Sequence, residues 1–250
     1  MAVLREILDY ANQLLDISSF NDYCPNGLQV EGVSDVQKII TGVTASQALL
    51  QQAVNQQANM VLVHHGFFWR GEAAAIVGLK KQKIALLVEN DISLVTYHLP
   101  LDAHAKLGNN AQLAKQLGIS IEGRFGAVSS VGMHGSLLTK RNGQALADYI
   151  AHTLGRVPLW FGDADKSISS VAWCTGAAQN YFDEIIPLGV DAYITGEVSE
   201  QNYHMALETG INFYAAGHHA TERYGVQALG EHLAEAFMVE HQYIELPNPV

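Results

Sequence analysis

Asn90-Asp91-Ile92-Ser93-Leu94-Val95-Thr96-Tyr97-His98 is a short apolar run that ends in a histidine. It has a counterpart further along the chain, Gly210-Ile211-Asn212-Phe213-Tyr214-Ala215-Ala216-Gly217-His218. Laid strand against strand, each run ends in an imidazole, and each has a carboxylate four residues later: Asp102 after His98, and Glu222 after His218. One step earlier, Met60-Val61-Leu62-Val63-His64-His65-Gly66 corresponds to Ala192-Tyr193-Ile194-Thr195-Gly196-Glu197. Short apolar runs bounded by polar and glycine residues read as buried strands. Their pairing implies an internal duplication that collects polar groups at the carboxyl ends of equivalent strands.

Working outward, apolar runs near 38–43, 60–63 and 92–96 alternate with helical spacing near 45–57 and 72–89, a βαβαβ unit with parallel strands and right-handed crossovers. The series repeats with strands near 168–174, 192–195 and 212–215 and helices near 178–186 and 199–208. Between the two lie a strand-like run at 127–138, a helix capped by Asn142 and closed by Gly155, and a strand near 157–161. No Pro/Gly/Ser-rich linker separates anything. The expectation is an α/β protein: two intertwined, duplicated α/β domains with mixed, largely parallel sheets and helices packed on them. The dividing line falls near 125/126, with His64, His65 and Asp102 in 1–125 and His218 and Glu222 in 126–250.

Composition narrows the function. A formal net charge of −11 with scattered cations gives no basic stripe for nucleic acid. The densest cationic group, Lys80, Lys81 and Lys83, reads as the solvated face of a helix. Cys24 and Cys174 show no C-x-x-C spacing, and Cys174 reads as a small buried residue. The N-terminal stretch is an amphipathic helix unlike a signal peptide, and no run approaches a membrane span, so a cytoplasmic protein with no membrane partner is expected. Phosphate-loop, nucleophile-elbow and H-E-x-x-H patterns are missing, and the glycines at 27 and 32 read as turns.

Eleven histidines are present, and their placement matters more than their number. His64-His65 falls just past a strand, where open parallel sheets bind ligands. Side chains adjacent on a strand point to opposite faces. At a strand end followed by glycine, the two can instead reach two different ions. Asp102 follows Pro100 in what should be a shaped loop, a position for an oxygen ligand or for a helix N-cap. Glu222 falls in the first turn of the helix after Gly217, where the macrodipole favours a carboxylate even without a metal. It could also bridge two cations. Three imidazoles and two carboxylates for two ions leave open coordination positions, the mark of a catalytic site. The donors are nitrogen and oxygen without thiolate, which suits Zn²⁺, Fe²⁺, Mn²⁺ or Co²⁺. His98 is the candidate for proton transfer, with packing its plainer reading. Trp69 either lines a pocket mouth or is core.

These residues make the sequence resemble the NIF-three-like family, whose members carry the name of type 2 GTP cyclohydrolase I homologues. The match rests on Pro25-Asn26-Gly27-Leu28-Gln29-Val30, Val63-His64-His65-Gly66, His98-Leu99-Pro100-Leu101-Asp102, Thr195-Gly196-Glu197 and Gly217-His218-His219-Ala220-Thr221-Glu222. The resemblance implies two intertwined α/β domains and a dinuclear site of His64, His65, Asp102, His218 and Glu222, with Glu222 bridging. It also implies a toroidal homohexamer and a small-molecule, nucleotide-like substrate hydrolysed by a metal-activated water. The competing readings are a metal-binding carrier or insertion factor, a ring-shaped scaffold, and action on damaged nucleotides or phosphoesters. Ion lability and a substrate screen separate them.

Overall fold

A computed structural model describes residues 1–126 and 130–250. In chain order it forms β1 (Ala2–Val3), α1 (Leu4–Leu14), β2 (Gly27–Val30), β3 (Asp35–Val36), β4 (Lys38–Thr44), α2 (Gln47–Asn55), β5 (Met60–His65), α3 (Gly78–Glu89), β6 (Ser93–Thr96) and α4 (Leu99–Ala103). It continues with α5 (Asn109–Leu117), β7 (Ile119–Phe125), β8 (Gly132–Asn142), α6 (Gly143–Leu154), β9 (Leu159–Phe161), β10 (Ser167–Cys174) and α7 (Phe182–Ile185). Then come β11 (Ala192–Thr195), α8 (Glu200–Thr209), β12 (Asn212–Ala215), α9 (His218–Phe237) and β13 (Glu240–Tyr243).

The chain divides into two units, Met1–Leu101 with Gly225–Pro247, and Asp102–Tyr224 with Asn248–Val250. A cut at 125/126 would separate β7 from β8, which are hydrogen-bonded along their length from Ile119↔Leu137 to Phe125↔Gly132. The observed division falls instead at 101/102, placing Asp102 with His218 and Glu222, and returns Gly225–Pro247 to the first unit.

In the first unit the strand order is β13-β4-β5-β6-β2. The first three pairings are parallel and β2 runs antiparallel to β6. In the second it is β7-β8-β10-β11-β12-β9, with β10, β11 and β12 parallel and the flanking strands antiparallel. The first sheet is thus largely parallel and the second mixed. Each contains three parallel strands in sequence order, with an earlier strand lying antiparallel beside the third, β2 beside β6 and β9 beside β12. This is the duplication read from the strand-end histidines, now visible in strand order and direction.

Parallel strands covered on both faces carry unbroken apolar runs. Met60 to Val63, Leu94 and Val95 are fully buried, as are Val171 to Trp173 and Ala192 to Ile194. The first core packs Ile40, Val61, Val63 and Leu94 with Leu49 and Leu50 of α2. The second packs Trp173, Ile194 and Tyr214 with Leu113 and Leu117 of α5 and Leu146 and Ile150 of α6. Ser46 caps α2 by accepting from Leu49 N, and Asn142 caps α6 by accepting from Ala145 N. Gly155 closes α6 in the left-handed region at φ 67°.

Several expectations change. The helix expected over 72–89 begins only at Gly78, whose φ of 56° breaks the pattern before it. The helix near 178–186 is reduced to α7 between two 3₁₀ turns, ended by Pro187 and Gly189. Pro100 does not prevent helix: it sits in the first turn of α4, where no intrahelical N–H is required. Lys80 and Lys83 are not simply solvated, for their ammonium groups lie over the rings of Phe68 and Phe67 and bond to Ala73 O and Ala45 O. The strand-like run read at 127–138 falls partly outside the described residues; β8 begins at Gly132 and continues to Asn142. Among the described residues no helix is long and apolar enough to cross a membrane.

Candidate metal centre

In the first unit β5 delivers His64 and His65, and β6 leads to His98. His64 is fully buried, and its Nδ1 lies 2.9 Å from the carbonyl oxygen of Tyr97. A carbonyl only accepts, so Nδ1 is the nitrogen that donates here. His65 Nδ1 lies 3.3 Å from Thr44 Oγ1. The ring centroids of His64 and His65 are 4.5 Å apart, and that of His98 is 5.0 Å from His64 and 5.8 Å from His65. One ring nitrogen from each of the three lies within 4.8 Å of the others. His64 and His65 are the last two residues of β5, and the residue after them must be small: a Cβ on Gly66 would fall 2.0 Å from Thr96 Oγ1. Trp69 is half-buried, its indole fixed to Gly66 O at 3.1 Å and its ring 5.0 Å from His98 and 5.9 Å from His65. It flanks the imidazoles rather than filling the core.

In the second unit the backbone past three strands is drawn together by glycines. Gly196 N donates to Gly176 O and Gly217 N to Gly196 O, each at 2.9 Å. A Cβ on Gly196 would fall 2.6 Å from Gly176 O, and one on Gly176, at φ 69°, would fall 2.0 Å from Glu222 Oε1. Into this space α9 brings His218 and Glu222, whose Nε2 and Oε2 lie 3.0 Å apart, while His218 Nδ1 donates to Glu197 Oε1 at 2.6 Å. Burial pulls the His218 pKa down, but Glu222 and Glu197 together outweigh it and raise it to about 9. Asp102, 6% exposed, accepts from Asn109 Nδ2 at 2.9 Å and from the Thr175 hydroxyl at 3.4 Å. Carboxylate oxygens of Asp102 and Glu222 lie within 4.8 Å of each other. Burial, reinforced by these two acids, pushes the Cys174 thiol far up, so it stays a neutral packing group.

In the first unit His64, His65 and His98 form a donor trio; in the second, Glu222 has a carboxylate oxygen within 4.8 Å of one of Asp102 and its Oε2 3.0 Å from His218 Nε2. These buried His, Asp and Glu clusters could hold metal ions. His104 stands apart, its Nδ1 accepting from the backbone of Lys106 and Leu107 in a turn. The sequence did not single out the groups that orient the donors. Glu197 was signalled by its alignment with the His64–His65 step and by the Thr195-Gly196-Glu197 motif, but without a role; Tyr97 O, Thr175, Asn109 and Asp22 were given none either.

The Duf34/NIF3 (NGG1p interacting factor 3) family model matches residues 2–249. The chain belongs to the NIF3 family. Within it, a Pseudomonas aeruginosa protein named GTP cyclohydrolase 1 type 2 homolog is 53% identical over 248 residues, with 98% of each chain covered. One of the same name from Yersinia pestis is 51% identical over 245 residues, again with 98% of each covered. Among solved structures, the structural-genomics protein ybgI, described as of unknown function, superposes with a TM-score of 0.96 at 50% identity over 100% of both chains. A Thermus thermophilus protein follows at 0.90 and 31%, also over 100% of both. The fold shared with these neighbours is mixed α/β.

Proposed function

We propose that this NIF3-family chain is a metal-dependent hydrolase. In this reading His64, His65, Asp102, His218 and Glu222 would hold a pair of divalent ions, and His98 would carry protons. The observation that supports it most is the state of the imidazoles. His64 and His218 each spend Nδ1 on an acceptor within their own unit, Tyr97 O at 2.9 Å and Glu197 at 2.6 Å. That is how metal-ligating histidines are oriented, with Nε2 turned away from the Nδ1 acceptor; in His218 that Nε2 meets Glu222 Oε2 at 3.0 Å, a contact a bound cation would replace. The donor chemistry fits as well. Two carboxylates, 6% and 3% exposed, with oxygens within 4.8 Å of each other are costly to bury, and a cation offsets that cost.

Bound divalent ions supply Lewis acidity and make water nucleophilic near neutral pH. The chain's own contribution is position. Asn109 and Thr175 hold Oδ1 of Asp102, Glu197 sets the His218 ring and Tyr97 O sets the His64 ring. Trp69 packs beside His65 and His98. His98, with Nδ1 bonded to Asp22, has Nε2 available to accept a proton from the attacking water or to return one to the leaving group. The name carried by the relatives directs the first substrate test to GTP. Formate release and pterin formation from GTP, measured beside elemental analysis of the same sample, are the expected result. Protein that retains its ions and turns over neither GTP nor any member of a nucleotide and phosphoester panel would end the hydrolase reading.

A further inference from the structure

Asp22 lies 76 residues before His98, in the irregular segment ahead of β2, yet its carboxylate is only 3% exposed. Both oxygens are fully used. Oδ1 accepts from His98 Nδ1 at 2.7 Å and from Tyr23 N at 2.6 Å. Oδ2 accepts from Asn26 Nδ2 at 2.8 Å and from Leu99 N at 2.9 Å. The same loop reaches His98 a second time, for His98 N donates to Asn26 Oδ1 at 2.7 Å. We propose that Asp22 is a positioning residue for His98: its carboxylate takes the Nδ1 proton and so fixes Nε2 as the nitrogen offered to the His64–His65 side. The catalytic part of this inference rests on His98 carrying protons in the proposed hydrolysis; the geometric part stands without it.

The argument is one of donors and acceptors. An ionised carboxylate accepts only, so the imidazole nitrogen facing it must be a donor, and the tautomer is decided by Asp22 alone. The second unit uses the same device at the equivalent strand end, where Glu197 accepts from His218 Nδ1. Asp22, Cys24 and His98 lie close enough to suggest a further metal trio. Against that, each Asp22 oxygen already has two donors, and burial, with Asp22 itself, pushes the Cys24 thiol up to about 12. A carboxylate surrounded by N–H groups beside a thiol that keeps its proton is built for hydrogen bonding.

The test uses the full chain, Zn²⁺-loaded and labelled with ¹⁵N in histidine, read by long-range ¹H–¹⁵N correlation. Wild-type His98 should give the Nδ1–H pattern. Asp22→Asn places an amide donor among four donors, and Asp22→Ala removes the acceptor, so both should lose that pattern. Asn26→Ala, which breaks the same loop without touching the ring, should keep it. In any turnover assay Asp22→Asn should lower kcat roughly tenfold or more with KM little changed. His98→Ala should retain the full ion content by elemental analysis, as a proton carrier would and a ligand would not. An Nε2–H pattern in the wild type, an Nδ1–H pattern that survives Asp22→Ala, or an equal loss in Asn26→Ala would each overturn the inference. A chain that binds its ions but hydrolyses nothing removes the hydrolase reading, while the tautomer still decides the role of Asp22.

Discussion

The two units solve one problem with opposite resources. Both end three parallel strands at a cluster of donors, and both place a histidine just past the third strand with its Nδ1 on a carboxylate: His98 on Asp22, His218 on Glu197. In the first unit the step past the second strand is imidazole, His64-His65. In the second it is Gly196 followed by Glu197. The first cluster is therefore rich in imidazole, and the second in acid. Four residues on, the carboxylates Asp102 and Glu222 both belong to the second unit, although Asp102 follows a strand of the first. A duplicated framework has kept the position of its functional groups while dividing base and acid between its copies.

The strongest test of that division removes one acid. Glu222→Ala should cost at least one ion per chain by elemental analysis while leaving the helical circular dichroism intact, because alanine is the best helix former. Retention of both ions would show that the acid-rich cluster does not bind metal. Next come the glycines. Gly176→Ala combines φ 69° with a contact 2.0 Å from Glu222 Oε1, and should cost about 2–3 kcal/mol in urea unfolding and lower ion content. Gly66→Ala meets Thr96 Oγ1 at 2.0 Å without a left-handed φ, so its loss should be smaller, ~1–2 kcal/mol. Equal effects would mean that the two strand ends are not differently constrained.

A third effect lies in acid. Burial raises the Asp22 pKa, but the His98 hydrogen bond and charge, with Asn26 and Tyr23 N, more than reverse this and hold it at about 2. A folded-state value below the unfolded 3.8 contributes stability that is complete above pH ~4 and is lost as pH falls toward 2. That amounts to about 2 kcal/mol. Wild type should therefore lose more stability between pH 5 and 2.5 than Asp22→Asn does, and parallel pH curves would contradict it. Smallest are the caps. Ser46→Ala in the first unit and Asn142→Ala in the second should each cost about 1 kcal/mol in thermal unfolding without altering ion content. If either changes the metal, the clusters are less insulated from their frameworks than the comparison holds.

How much of this was legible depended on where each partner lay in the chain. β4, β5, β6, β10, β11 and β12 announce themselves as apolar runs, and their terminal histidines and acids could be listed from sequence alone. β2 was hidden because Asn26-Gly27 looks like a turn, and β13 because Glu240-His241-Gln242-Tyr243 is polar with only alternating burial. Ala73-Ala74-Ala75-Ile76-Val77 has helical composition, yet Gly71 at φ 88° and Gly78 at φ 56° hold the segment out of the helix. Asp102 was placed in a loop because Pro100 was read as a breaker, although a first-turn proline is compatible with helix. Asp22 could not have been found, since nothing local marks an acid whose partner is 76 residues away. The donors were readable one by one, but what aims them is tertiary.

The return of Gly225–Pro247 to the first unit has a consequence for how this protein is made. β13 closes the β4 edge of the first sheet, pairing Glu240 with Lys38 and Tyr243 with Thr41. On the ribosome, β4, β5 and β6 have all emerged ~145 residues before their last neighbour, on the order of seven to thirty seconds at translation speed. For that interval the nascent sheet presents an unpaired β4 backbone, the kind of edge that recruits other chains. Ile39, Ile40 and Val43 lie along it, with Lys38 at its start the one charge within the strand to discourage a wrong guest.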